Sequence, residues 1–102
     1  MNLNDVDLHD ALLKNMVVNY KEKNINIIVE YYKSENDKER NTAEIKFKDV
    51  ELLTQVIDIH EMEINAFAGN ISYWIPSQGY GTTYIYLTQG CISIKSSDVE
   101  FV

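Results

Sequence analysis

Apolar side chains stand at every second position through much of this 102-residue chain, and this alternation restricts its fold more than any other feature. The runs cover residues 25–31, 43–47, 71–75 and 83–87. Successive side chains of a strand point to opposite faces, so a period of two indicates strands with one buried face. Only four Gly and one Pro are present, which leaves most turns to clusters of Asn, Asp, Ser and Lys. The sequence therefore predicts a mainly β protein near the α+β boundary.

The breaks between these runs predict about six strands and one short helix. In chain order we expect a hairpin (12–20 with 25–31), a polar loop (33–41), a strand (43–47), a helix from Asp58 and a meander (71–75, 83–87 and 92–94). A phase slip follows at Ser96-Ser97. A mostly antiparallel sheet of this size must curl or form a small sandwich to bury one face. Residues 1–102 are too few for two independent cores, so we expect a single domain.

The segment after residue 57 has two possible structures. Asp58 and Glu61 have the spacing of a helix-capping pair, and Gly69 suits a helix end. One face of that helix would carry Ile59, Met62, Ala66 and Phe67. The alternative is a strand that uses Met62, Ile64, Ala66 and Ala68. We prefer the helix because its start and stop signals agree.

Charge narrows the range of partners. Sixteen acidic side chains against nine basic ones give a net charge of −7, which repels nucleic-acid phosphates and anionic lipids. We therefore expect no nucleic-acid or membrane partner. A protein with a basic surface is electrostatically suitable, and Glu35, Asp37 and Glu39 of the polar loop are candidate contacts. The alternative is that this charge only maintains solubility.

The single cysteine and the first residues predict a cytoplasmic protein. Cys91 has no intramolecular disulfide partner, which suits a reducing compartment. Residues 1–7 lack the basic and apolar parts of a signal peptide, and no stretch approaches the length of a membrane span.

Catalytic constellations are weak in this chain. His9 and Asp10 are adjacent, and on a strand they would point to opposite faces. His60 and Glu63 have a helical ligand spacing, but two ligands do not hold a catalytic zinc. Cys91 lacks a predicted activating neighbour. Gly79-Tyr80-Gly81 is a hairpin turn without the Lys of a phosphate loop. We therefore predict no enzymatic activity, no metal and no cofactor.

An aromatic cluster is the best candidate binding surface. Trp74 is out of phase with Tyr73, and Tyr84 and Tyr86 are out of phase with Ile85, so these three rings are predicted to share one face. Tyr80, at the turn, would extend it. Tyr and Trp anchor many interfaces because they supply large area at little rotamer entropy. The alternative is a second small core, covered by the helix or the acidic loop.

Three segments carry a resemblance to a known class of proteins. These are Leu8-His9-Asp10-Ala11, residues 69–74 (GNISYW) and residues 84–94 (YIYLTQGCISI). The chain resembles small uncharacterised bacterial proteins, some of which are similar to immunity proteins of contact-dependent or polymorphic toxin systems. The resemblance implies a cytoplasmic protein that binds a cognate toxin, and it carries over no catalytic residue.

Three functional hypotheses follow from these observations. The first is a non-enzymatic protein-binding module, such as an immunity or inhibitor-like protein, whose acidic loop and ring cluster contact a partner. The second is a small enzyme, which requires at least two of His9, Asp10, His60 and Cys91 to converge. The third is a self-associating structural module with the ring face as a homodimer interface.

Overall fold

In the computed structural model, which describes residues 2–64 and 70–102, the mainly β class is confirmed. The described residues form eight strands, one short helix and a 3-10 turn at Leu3–Asp5. The elements are β1 (Leu12–Asn19), β2 (Asn24–Tyr31), β3 (Asn41–Lys48), β4 (Leu52–Ile57), α1 (Ile59–Ile64), β5 (Ile71–Ile75), β6 (Gly81–Leu87), β7 (Gly90–Ser96) and β8 (Asp98–Phe101).

The strands form two antiparallel sheets that share a corner. The first sheet has the order β1-β2-β3-β8, and the second has the order β4-β7-β6-β5. At the corner the Ser97 backbone N–H donates to the Lys48 carbonyl at 3.0 Å, and the Ser97 hydroxyl donates to the Asp49 carboxylate at 2.9 Å. Asp49 has φ 49°, a left-handed conformation that turns the chain from β3 into β4. The segments β3–β4 and β7–β8 are thus two long strands, each bent once.

These bends explain why eight strands are found where about six were expected. The predicted phase slip at Ser96-Ser97 is the bend that divides β7 from β8. On the far side the sheets meet again, because the Ile71 N–H donates to the Ala11 carbonyl at 2.7 Å and the Asp10 N–H to the Ile71 carbonyl at 2.9 Å. The sheets therefore join at both sides, as a curled and flattened structure.

The core lies between the inner faces of the two sheets. In the first sheet, β2 and β3 bury every second side chain from Ile25 to Val29 and from Ala43 to Phe47. In the second, β6 and β7 do the same from Thr83 to Leu87 and from Ile92 to Ser96. This regular burial confirms the period-two prediction for these segments.

Trp74 belongs to this core, and the prediction that it shares an open face with Tyr84 and Tyr86 is wrong. The register between β5 and β6 shifts between Ile71 and Tyr73, so one extra residue reverses the phase of the strand. Trp74 is only 9% exposed, and its indole N–H donates to the Val6 carbonyl at 2.9 Å. Tyr73 takes the outward position instead.

Helix α1 begins as predicted. The Asp58 carboxylate accepts from the Glu61 backbone N–H at 3.0 Å, which caps the first turn. The alternative strand is therefore wrong for Met62 and Ile64, which lie in the helix. Ile59 is 73% exposed, so the predicted buried face is not formed at its first position; Ala66, Phe67, Ala68 and Gly69 lie outside the described residues. No helix within residues 2–64 and 70–102 is long and apolar enough to cross a membrane.

Candidate interaction face

The outer face of the second sheet carries a group of aromatic and aliphatic side chains in three rows. The pairing of the strands sets these rows, since directly opposite residues of antiparallel strands share a face. We call this group the tyrosine face. Its rows are Val56-Cys91-Tyr86-Tyr73, Thr54-Ser93-Tyr84-Ile75 and Leu52-Lys95-Thr82.

Much of this apolar surface is open to solvent. Val56 is 74% exposed and Tyr73 is 53% exposed, with Leu52, Ile75 and Tyr84 also exposed. Thr54 and Ser93, at the centre of the face, hydrogen-bond to each other through their hydroxyls. These hydroxyls therefore depend less on hydrogen bonds to water. Lys95 is the only charged side chain in the three rows.

The outer face of the first sheet has the opposite character. Its strands β3 and β8 direct mainly charged side chains outward, and oppositely charged residues pair across them, while β2 directs mainly amides outward, with Ile28 and Glu30. Lys48 lies 3.8 Å from Glu100, and Lys14 lies 3.9 Å from Glu30. An antiparallel sheet with one solvated face normally shows this polar pattern. The tyrosine face departs from it.

The tyrosine rings pack against one another along β5 and β6. The Tyr73 and Tyr86 rings stack with centroids 4.6 Å apart, and Tyr84 stacks against Tyr86 at 6.2 Å. Partial burial raises the pKa of the Tyr86 phenol above 10.0, and the neighbouring Tyr73 phenol and Cys91 thiol raise it further. The Tyr86 phenol therefore stays protonated at neutral pH and can donate a hydrogen bond to a partner.

One end of the face is bounded by Tyr80, Glu51 and Lys95. The Tyr80 hydroxyl donates to the Glu51 carboxylate at 2.6 Å, and Lys95 lies 3.5 Å from the same carboxylate. The Tyr80 hydrogen bond lowers the pKa of Glu51, and the Lys95 charge lowers it further. Tyr80, which is 62% exposed, therefore lies at the turn beside the Lys95 end of the face.

The other end lies beside acidic groups. An imidazole nitrogen of His9 is 2.9 Å from the carbonyl of Ser72, the residue before Tyr73. This carbonyl raises the pKa of His9 above 6.5, and the Asp10 carboxylate raises it further. A cleft of about 390 Å³ adjoins this contact, and its lining residues include Asp7, Asp10, Glu35 and Asp37.

The polar loop is solvent-exposed as expected. Glu35, Asp37 and Glu39 all lie exposed between β2 and β3. Ser34 bonds to Asp37 within the loop, and the Arg40 guanidinium donates to the Asp10 carbonyl at 3.1 Å, which ties the loop base to the N-terminal turn. The loop carboxylates therefore lie near the β5 side of the tyrosine face.

Two of the four catalytic candidates converge, since His9 and Asp10 both line the cleft, and this pair meets the requirement of the enzyme hypothesis. His9 and Asp10 do meet, with 3.5 Å between imidazole and carboxylate, so the expectation that they point apart is wrong. The cause is a turn, because Asp10 has φ 64° and is not in a strand. Among residues 2–64 and 70–102, no hydrogen bond or ion pair joins His60 or Cys91 to this pair, and no group of three ligands suits a metal.

Several residues of the face were not predicted as site residues. The alternation places Tyr73 and Ile75 in the phase of Ile71, and the bulge that turns them outward has no signal in this alternation. Leu52 and Val56 were not placed on a strand because β4 is apolar at both phases. The sequence signal that could have found β4 is its run of six uncharged residues, LLTQVI, for which no pairing strand was predicted.

Comparison with protein-family models, with curated proteins and with solved structures found no match.

Proposed function

We propose that this protein is a non-enzymatic protein-binding module and that the tyrosine face is its contact surface. The observation that carries the proposal is the difference between the two outer faces. One is mainly polar and charged, and the other is mainly aromatic and aliphatic, with Lys95 as the only charge in its three rows. An exposed apolar patch on one face only is typical of an interaction site.

The size of the face indicates how a partner docks. Four strands about 4.8 Å apart, with rows over about 17 Å of strand, give roughly 300 Å² of flat area. A standard interface covers about 800 Å² per partner, with an apolar centre and a polar rim. The tyrosine face is therefore the centre, and the partner must also cover its surroundings.

The surroundings favour a partner with a basic rim. On the β5 side the cleft is lined by four carboxylates, with Lys33 and His9 as its basic groups; the carboxylates are Asp7, Asp10, Glu35 and Asp37. Asp58, Glu61 and Glu63 follow the last residue of β4 in the chain. Lysine and arginine side chains around an apolar centre would complement this arrangement and speed association.

A cytoplasmic immunity or inhibitor-like protein is the biological role that fits this proposal. Such a protein acts by occupying its target, so it needs a large rigid surface and no catalytic group. A sheet face supplies this surface because each side chain is held by its neighbours across the strands.

The proposal is tested by capture with matched variants. Tagged wild-type protein, the Tyr73→Ala/Tyr84→Ala variant and a Tyr20→Ala control are used to capture proteins from the source cells, and each captured protein is then purified and titrated by calorimetry. Tyr20 is a good control because it is 88% exposed and lies outside the three rows. Two interface rings contribute about 1–2 kcal/mol each, so we expect at least a tenfold loss of affinity in the double variant.

Two outcomes contradict the proposal. One is a double variant that binds the purified partner with wild-type affinity. The other is a wild-type protein that captures no specific partner. The basic rim has a separate readout, because Glu35→Lys/Asp37→Lys should lower the association rate at low salt with little change in dissociation.

A further inference from the structure

In the part of the chain that the structure describes, three of the four edge strands carry features that discourage further pairing. β1 has a bulge between Leu13 and Asn15 and carries Lys14. β8 has only four residues, two of them acidic. β5 contains the bulge before Tyr73 and is followed by Pro76. Bulges, charges, short length and proline are the usual protections of a sheet edge.

The fourth edge strand, β4, has none of these features. Its six residues, LLTQVI, include no charge, no Gly and no Pro. Within residues 2–64 and 70–102, β4 pairs with β7 alone, and Val56 on it is 74% exposed. An apolar, uncharged and open edge is a template for another strand.

The orientation of the Val56 carbonyl shows which residues of β4 direct their backbone N–H and C=O groups to the free edge. The Val56 carbonyl oxygen lies so close to Gly90 that a Cβ there would be only 2.2 Å from it, so this carbonyl points toward β7. Alternate residues of a strand direct their N–H and C=O to opposite sides. Leu53, Gln55 and Ile57 therefore present theirs to the free edge.

We propose that two copies of this chain pair through β4 as a two-fold symmetric, antiparallel dimer, which joins the two second sheets into one of eight strands. The axis passes between the two Gln55 residues, so Leu53 of each copy lies opposite Ile57 of the other. This register uses all three residues that face the edge. In this register each residue lies opposite one whose side chain points to the same side of the sheet. The outer faces of the two second sheets therefore lie on the same side of the joined sheet.

Charge at the two ends of β4 favours a second copy as the occupant. Near its first residue lie Lys23, whose carbonyl accepts from the Val50 N–H at 2.7 Å, and the ion pair of Glu51 with Lys95, in which the two charges offset each other. After its last residue come Asp58, Glu61 and Glu63. Antiparallel pairing brings the acidic end of one copy toward Lys23 of the other.

The carboxylates that flank β4 are already engaged within their own copy. Glu51 accepts from Tyr80 and pairs with Lys95, and Asp58 caps α1. They therefore add little repulsion to the dimer. The contact is nevertheless one strand wide, well below the area of a standard interface, so we expect a dissociation constant of about 10 μM to 1 mM.

The dimer does not depend on the proposed partner, because it uses the edge of the sheet and leaves the tyrosine face open. In the dimer the two tyrosine faces adjoin across the β4 pair. The two proposals can therefore fail independently. A failure to capture a partner would not contradict the dimer, and a monomeric protein could still bind a partner through its single tyrosine face.

Sedimentation equilibrium over about 10 μM to 1 mM tests the dimer, with a rise expected from 11.8 kDa toward twice that mass. Gln55→Lys and Gln55→Glu should each stay monomeric, because the two substituted side chains face each other across the axis. Their equal mixture should regain the dimer at least to the wild-type extent. Val17→Lys, on the exposed outer side of β1, is the matched control and should leave the dimer unchanged.

Circular dichroism confirms that each variant is folded, and hydrogen exchange gives a second measurement. The amides of Leu53, Gln55 and Ile57 should exchange more slowly as concentration rises. A wild-type protein that remains at 11.8 kDa throughout overturns the dimer. So does a Gln55→Lys variant that dimerises as the wild type does, or a mixture that stays monomeric.

Discussion

Replacing Trp74 by alanine should destabilise the fold, because this side chain is part of the core. The ring is 9% exposed, lies 6.3 Å from the Phe101 ring between centroids and donates to the Val6 carbonyl. A sequence-based interpretation had placed the same ring on a binding surface. The variant therefore separates a core role from an interface role.

The magnitude follows from what is removed. Loss of a buried Trp side chain costs about 3–5 kcal/mol through lost burial and the cavity that remains. The Val6 hydrogen bond accounts for about 1 kcal/mol of this. The N-terminal segment that covers the ring is short and can partly collapse into the cavity, so we expect about 3–4 kcal/mol. Trp74→Phe keeps most of the ring and should cost about 1–2 kcal/mol.

Urea unfolding followed by far-ultraviolet circular dichroism measures this loss, because the tryptophan fluorescence signal disappears with the residue. With a slope of about 1–3 kcal/mol per molar urea, the midpoint should fall by roughly 1–4 M. Tyr73→Ala is the matched control on the same strand, and its free energy of unfolding should change by less than about 1 kcal/mol. A Trp74→Ala protein as stable as the wild type would refute a core position for this ring.

Two further changes test the close approach of Gly90 to the last residues of β4 and the contacts of the N-terminal turn. Gly90→Ala should lower the free energy of unfolding by about 1–3 kcal/mol, because its Cβ would meet the Val56 carbonyl at 2.2 Å; urea unfolding beside a Gln89→Ala control measures this, and an unchanged midpoint would contradict the close approach. The pKa of His9 is raised in the folded state, so its stabilisation is full below about pH 6.5 and is lost as the pH rises through the folded value. The stability difference between wild type and His9→Asn should therefore be larger at about pH 5.5 than at about pH 8.5, and a difference independent of pH would argue against the Ser72 and Asp10 contacts.

Strands with one polar face were predictable from this sequence, and those with two apolar faces were not. β2 and β3 alternate Ile or Phe with Asn, Glu and Lys, so their period is visible. β4 reads LLTQVI because its outward residues belong to the tyrosine face, and the period disappears. The outward apolar side chains that make β4 a candidate for binding are therefore also the reason why its sequence lacks the alternation that identifies a strand.

The composition of the candidate face was predicted in part. Tyr84 and Tyr86 were placed together because β6 is regular. Trp74 was assigned to the face and Tyr73 to the opposite phase, because one bulge exchanges their positions. A bulge at Ser72 depends on the register with β6, which is a tertiary property with no local sequence signal. The contact between His9 and Asp10 was missed for a similar reason, since only the turn brings them together.

The bent strands at the shared corner affect how the molecule unfolds. β7 lies inside the second sheet, and β8, its direct continuation, forms an edge of the first. Pulling this one segment away would remove hydrogen bonds from both sheets at once, so neither sheet can open as an independent unit. The pairing is also distant in sequence, with Lys48 opposite Asp98, which makes closure of the corner a slow step of folding. The two layers should therefore melt in a single cooperative transition.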